Sequence, residues 1–133
     1  MIYWTSLWAL VFWTALSALG CGNNQLRSVT VTPPAADARD FPNGQVQFTA
    51  IGTYSGSSHM VPVKNLSWCI GTDSGKCNGN IASAGAVDGN GLAQCVASRT
   101  GTVTVIAGTG GPMSPPDTGH QFAVFGSAHL TCP

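Results

Sequence analysis

Glutamate is absent from this 133-residue chain, and charge of either sign is scarce, with five Lys and Arg set against five Asp. The cations Arg27, Arg39, Lys64, Lys76 and Arg99 and the anions Asp37, Asp40, Asp73, Asp88 and Asp117 balance to zero and form no run. A nucleic-acid partner is therefore not expected, because a binding face needs clustered Lys and Arg to neutralise phosphates. Long-range steering of a partner fails on the same ground. Paired carboxylates for glycoside chemistry would have to come from scattered Asp. The chain also lacks a G-x-S-x-G elbow, a C-x-x-C pair and closely spaced histidines, so neither a nucleophile elbow nor a zinc site has local support. His59 and His120 fall in loop-like stretches and read as solvated side chains. A non-enzymatic protein without cofactor or metal is expected.

Charge is missing altogether from the first twenty residues, MIYWTSLWALVFWTALSALG, after which Cys21-Gly22-Asn23-Asn24-Gln25 turns abruptly polar. A secretory signal peptide has an apolar core of about 7–15 residues and small residues before its cleavage point. Residues 7–19 supply the core, and Ala18 and Gly20 flank its end. Leu16-Ser17-Ala18-Leu19-Gly20-Cys21 resembles the lipobox of bacterial lipoproteins, with Ala18 and Leu19 where Leu and a small residue are usual. The resemblance implies cleavage before a diacylglycerol-bearing Cys21, and with Gly22 rather than Asp beside it, the outer membrane. The expected organisation is a signal peptide over 1–20, lipidated Cys21 with a tether over 21–25, and a domain over 26–133. Each buried methylene contributes about 0.8 kcal/mol, so two or three acyl chains would make the membrane attachment durable. An uncleaved signal anchor is the alternative, since a spanning helix needs about 17–25 apolar residues.

Five cysteines are an odd number. Committing Cys21 to lipid leaves Cys69, Cys77, Cys95 and Cys132, an even set that can pair and so implies an oxidising compartment. Three connectivities are open. Cys69 and Cys77 bracket a short loop, which favours pairing them and leaves Cys95 with Cys132. Closed-loop entropy assigns about 2.5 kcal/mol to the short loop and about 4 kcal/mol to the long one. Cys69 follows Trp68, so within a strand it faces away from the side that Trp68 occupies.

The downstream segment alternates in short runs separated by Gly, Pro, Asn and Asp, with no helical period. Residues 26–32 set Val29 and Val31 against Ser28, Thr30 and Thr32; residues 45–54 set Val46, Phe48 and Ala50 against Gln45, Gln47 and Thr49. Leu66, Trp68 and Ile70 share a face, and further strands fall at 91–97, 101–107 and 121–128, the last with Phe122 and Val124 on one side, with a shorter one near 81–87. About seven strands in about 100 residues predict an all-β, immunoglobulin-like β-sandwich. Phe48 and Trp68 are the core candidates, large enough to fill the gap between sheets about 10 Å apart. Asp88-Gly89-Asn90-Gly91 reads as a tight turn rather than half a calcium loop, which would need further acidic ligands.

Leu26-Arg27-Ser28-Val29-Thr30-Val31-Thr32-Pro33, the run from Gln45 through Ser55, Leu66-Ser67-Trp68, Val87-Asp88-Gly89-Asn90-Gly91-Leu92-Ala93 and Gly101-Thr102-Val103-Thr104-Val105 occur in that order. Together they resemble a bacterial Ig-like group 2 domain, the module of invasin- and intimin-like surface proteins. That resemblance implies a structural or adhesive role. Two functions are expected from different classes. One is a lipid-anchored module binding an envelope protein or glycan through strand edges or the loops at 53–64 and 108–119. The other is a spacer or assembly subunit with no external ligand.

Overall fold

The computed structural model describes residues 24–57, 59–81, 84–110 and 121–133. The signal segment over 1–20, Cys21, His120 and the 111–119 part of the long loop lie outside them. Strands carry the described chain: β1 (Leu26–Thr32), β2 (Ala35–Asp37), β3 (Gln45–Gln47), β4 (Thr49–Tyr54), β5 (Met60–Pro62), β6 (Ser67–Gly71), β7 (Gly85–Val87), β8 (Leu92–Cys95), β9 (Gly101–Thr109) and β10 (Val124–Cys132). Between β2 and β3 lie two short 3-10 turns, Ala38–Asp40 and Pro42–Gly44.

The expected run over residues 45–54 is one strand that changes partners. Its first half, β3, pairs with β8, and its second half, β4, pairs with β1 and β5. Phe48 is the pivot, and its N–H still donates to the Gly91 carbonyl at 2.9 Å. Read through that pivot, one layer holds β1, β3/β4, β8 and β7, and the other holds β6, β9 and β10. This is the arrangement of a seven-stranded immunoglobulin sandwich, with β2 and β5 as short additions. β2 was not anticipated: after Pro33-Pro34 the chain crosses to the second layer, where β2 runs parallel to β10 with Ala35 opposite His129. Proline lacks an N–H and cannot extend β1's ladder, so the pair marks where the chain leaves one sheet for the other.

Alternation places the core. Val29 and Val31 of β1, Val46 of β3, Phe48, Val87 and Ala93 from one layer meet Trp68, Ile70, Val103, Val105, Ala107, Ala128 and Leu130 from the other. Phe48, Val46, Val105 and Leu130 are fully buried, and Trp68 is 8 % exposed. Each such side chain contributes about 1.5–3 kcal/mol on removal from water. Glycine at 126 permits the close approach of β1 to β10, because a side chain there would run into the Val29 carbonyl.

Phe122 and Val124 do not share a side. β10 begins only at Val124, which packs against the main core, whereas Phe122 belongs to a second cluster with Cys69, Cys77 and Ile106. The Ala123 N–H donates to the carbonyls of both Thr109 and Gly110. Phe122 is thus held before the strand ladder begins, and strict alternation does not apply to it.

Candidate functional site

On β6, successive side chains face opposite ways, so Trp68 and Ile70 enter the core while Cys69 turns outward. It is nevertheless 3 % exposed, because it is bonded to Cys77 (Cα–Cα 5.8 Å) and lies under Phe122 and Phe125 beside Ile106. The second bridge joins Cys95, at the end of β8 in one layer, to Cys132, at the end of β10 in the other (Cα–Cα 5.6 Å). The first is the pair that the short loop favours, and the second is the pair that it leaves. They fit an oxidising, extracytoplasmic setting.

The short bridge fixes a strap, residues 77–81, that serves both layers. The Asn78 N–H donates to the Ile70 carbonyl and the Ile70 N–H to that of Gly79, each at 2.8 Å, while the Val87 N–H donates to Asn80 at 2.9 Å. The outer margins of β6 and β7 are therefore hydrogen-bonded along these residues rather than open for a partner strand. Strand addition at these two margins, one of the expected binding modes, meets an occupied edge.

The 88–91 segment is a turn. The Asp88 carboxylate accepts from the N–H groups of Asn90 and Leu92, both at 2.8 Å, and Gly91 takes a positive φ of 83° that favours glycine. Beside it, Ile81, Ala86, Leu92 and Gln94 line a shallow, mostly apolar depression of about 320 Å³. Among the described residues, no three of His, Cys, Asp and Glu converge as a metal-binding group.

Among the described residues, the nearest approach to a hydroxyl–imidazole–carboxylate chain is Thr104, His129 and Asp73. Thr104 Oγ1 lies 3.5 Å from His129 Nδ1, and His129 Nε2 lies 3.8 Å from Asp73 Oδ1. Both separations exceed the 2.6–3.2 Å over which a base takes a proton from a nucleophile. The His129 and Asp73 side chains are about half or more exposed, at 46 % and 66 %. Asp37 is the described carboxyl with a resolved shift. The Arg39 guanidinium grips it with its shortest contact at 2.6 Å and the Arg39 backbone N–H donates as well at 3.0 Å, holding its pKa down at about 2.

The two ends of the sandwich differ in kind. At one end the chain enters: the Ser55 N–H donates to the Gln25 carbonyl at 2.7 Å, and the Gln25 N–H donates to Ser55 Oγ at 2.9 Å. The loop following β4 is thereby tied to the last residues before the domain. β9 also ends here, since Thr109 pairs with Val124. At the other end lie Phe41 between the two 3-10 turns, the Val96 to Thr100 turn, and Cys132. Nine-residue strands separate the two by about 30 Å. The expected binding loop over 53–64 therefore sits where the chain enters.

The exposed large apolar side chains of the described residues are Phe41, Met60, Val61 and Ile81, and their roles were not read from the sequence. Met60-Val61-Pro62 carried a signal, an apolar triplet between polar loops, but no alternation to mark it as a strand. No described helix is long and apolar enough to cross a membrane. No family model matches the chain, and no curated protein matches it.

Proposed function

We propose that this is a non-enzymatic, lipid-anchored protein of the bacterial cell envelope, held in the outer membrane through Cys21, that presents an Ig-like module to a protein or glycan partner. The observation that carries the reading is the polarity of the domain. Gln25, four residues after Cys21, is hydrogen-bonded into one end, and the Phe41 turn stands at the other. A sandwich fastened at one end and stapled by two disulfides is a rigid support for a distal surface. The ordered segments that resemble bacterial Ig-like group 2 modules favour the same role.

The test is made in cells with the full chain. Replacing Phe41 by a photoreactive phenylalanine analogue is expected to give a cross-linked adduct heavier than the monomer. The Cys21→Ser variant is expected to escape both lipid-dependent processing and the outer membrane. Release of the Ser variant with no adduct from the distal end would favour the spacer role. Retention of the Ser variant in the membrane would favour an uncleaved anchor.

A further inference from the structure

We propose that the β5 edge, Met60-Val61-Pro62, is a second membrane contact that rests on the lipid surface and sets the angle at which the domain stands. The inference deepens the anchored reading and rests on it. Cys21 precedes Gln25 by four residues, and four residues span at most about 14 Å. Gln25 is itself hydrogen-bonded to Ser55, so a lipid on Cys21 keeps the 55–57 loop within that reach of the interface. β5 begins at the same level: Met60 pairs with Thr53, next to Tyr54, which pairs with Leu26.

At this level, side chains that water does not favour are left uncovered. Met60 is 53 % exposed and Val61 40 %, and Pro62 is exposed as well. A protein strand is the wrong occupant, because three residues with a proline in an edge position are a device against strand pairing. A lipid surface needs no backbone donors, and Met60, on the sheet face away from Val29 and at the end of β5 nearest Gln25, can enter its acyl boundary. Charge agrees. Residues 41–72, which include β4 and β5, hold Lys64 and no carboxylate, and β1 adds Arg27. A small sheet that holds Arg27 and no anion, with Lys64 two residues beyond β5, suits an anionic phospholipid surface.

The experiment uses the lipidated chain cleaved before Cys21, whose one native tryptophan is Trp68, in vesicles of phosphatidylcholine and phosphatidylglycerol whose acyl chains carry bromine, a contact quencher of indole. Met60→Trp is compared with Phe41→Trp, with the buried Trp68 as common background and as the sign that the domain is folded. Loss of emission from residue 60 and none from residue 41 is the expected result. Unquenched emission at both positions, with the mass of the same sample showing lipid on Cys21, would overturn the docking and leave the anchor standing. A mass without lipid would overturn both.

Discussion

The sheet β2-β10-β9-β6 is covered twice, and its two faces are covered differently. Its inner face meets the opposite layer through Trp68, Ile70, Val103, Val105, Ala107, Ala128 and Leu130. Its outer face, which in an isolated domain would meet water, carries Cys69, Cys77, Ile106 and Phe122 with Phe125 packed alongside. The inner core is long-range and shared by both layers. The outer one is a local lid, made by the loop after β6 folding back and by the residues just before β10. The Phe122 N–H donates to Gly75 across this lid at 3.1 Å, and Lys76 bridges to Gln121. A sheet face can thus be buried by its own connections when a short disulfide holds them down.

The sharpest test of the contrast is a large-to-small change on each face. Phe48→Ala is expected to cost about 3–5 kcal/mol in denaturant unfolding, with a cavity opening between layers that cannot collapse onto it. Phe122→Ala, on a face whose cover is a loop free to settle inward, should fall below that range because relaxation reduces the cavity term. Equal losses at the two positions would show that the outer cluster is as integral as the core.

The disulfides come next in size. Replacing Cys95 and Cys132 by Ser should cost about 4 kcal/mol and the Cys69 and Cys77 pair about 2.5 kcal/mol, if closed-loop entropy dominates. The two losses should also differ in reach. Without Cys69–Cys77, amide exchange is expected to rise at Asn78, Ile70 and Val87, whose N–H groups bind across the strap, before it rises at Val103 and Val105. Uniform loss of protection would instead make the strap part of the global folding unit.

How much of this was legible in the sequence follows the same division. The inner face was readable, because Val29 and Val31, Val46 and Phe48, and Trp68 and Ile70 alternate with polar residues, and a period of two marks a half-buried sheet. The outer face was not. Ile106 stands between Val105 and Ala107, which breaks the alternation, and Phe122 lies outside any strand. The covering of Cys69 depends on where a loop folds, which spacing does not encode. The partner change at Phe48 and the crossing of β2 escaped for a related reason: both preserve the local pattern and alter only which strand lies alongside. At the candidate site, the cysteine pairs were within reach because loop length limits them, whereas the tie of Gln25 to Ser55 joins residues thirty positions apart and leaves no mark in either segment.

The smallest expected effect concerns acid, and it separates the faces from their rim. Among the described residues no polar or charged side chain is buried, so neither cluster contains a group whose titration would open it. The rim does, at the end of β2. Arg39 draws the Asp37 carboxyl from its ordinary value of 3.8 down to about 2, first through the side-chain hydrogen bond and then through the backbone one. A carboxyl with a depressed folded pKa stabilises the fold above its unfolded value, and that contribution is lost as pH falls through the folded value. The window here runs from about pH 4 down to about pH 2. Arg39 is exposed, at 67 %, and Asp37 partly so, at 26 %, so the loss should be slight and weaker still in high salt. Asp37→Asn should flatten that acid limb while leaving exchange at Ile70 and Val87 unchanged. If acid instead released the strap amides before those of Asp37 and Arg39, the outer face would hold a titrating contact that its apolar composition does not supply, and the contrast between the two faces would have to be redrawn.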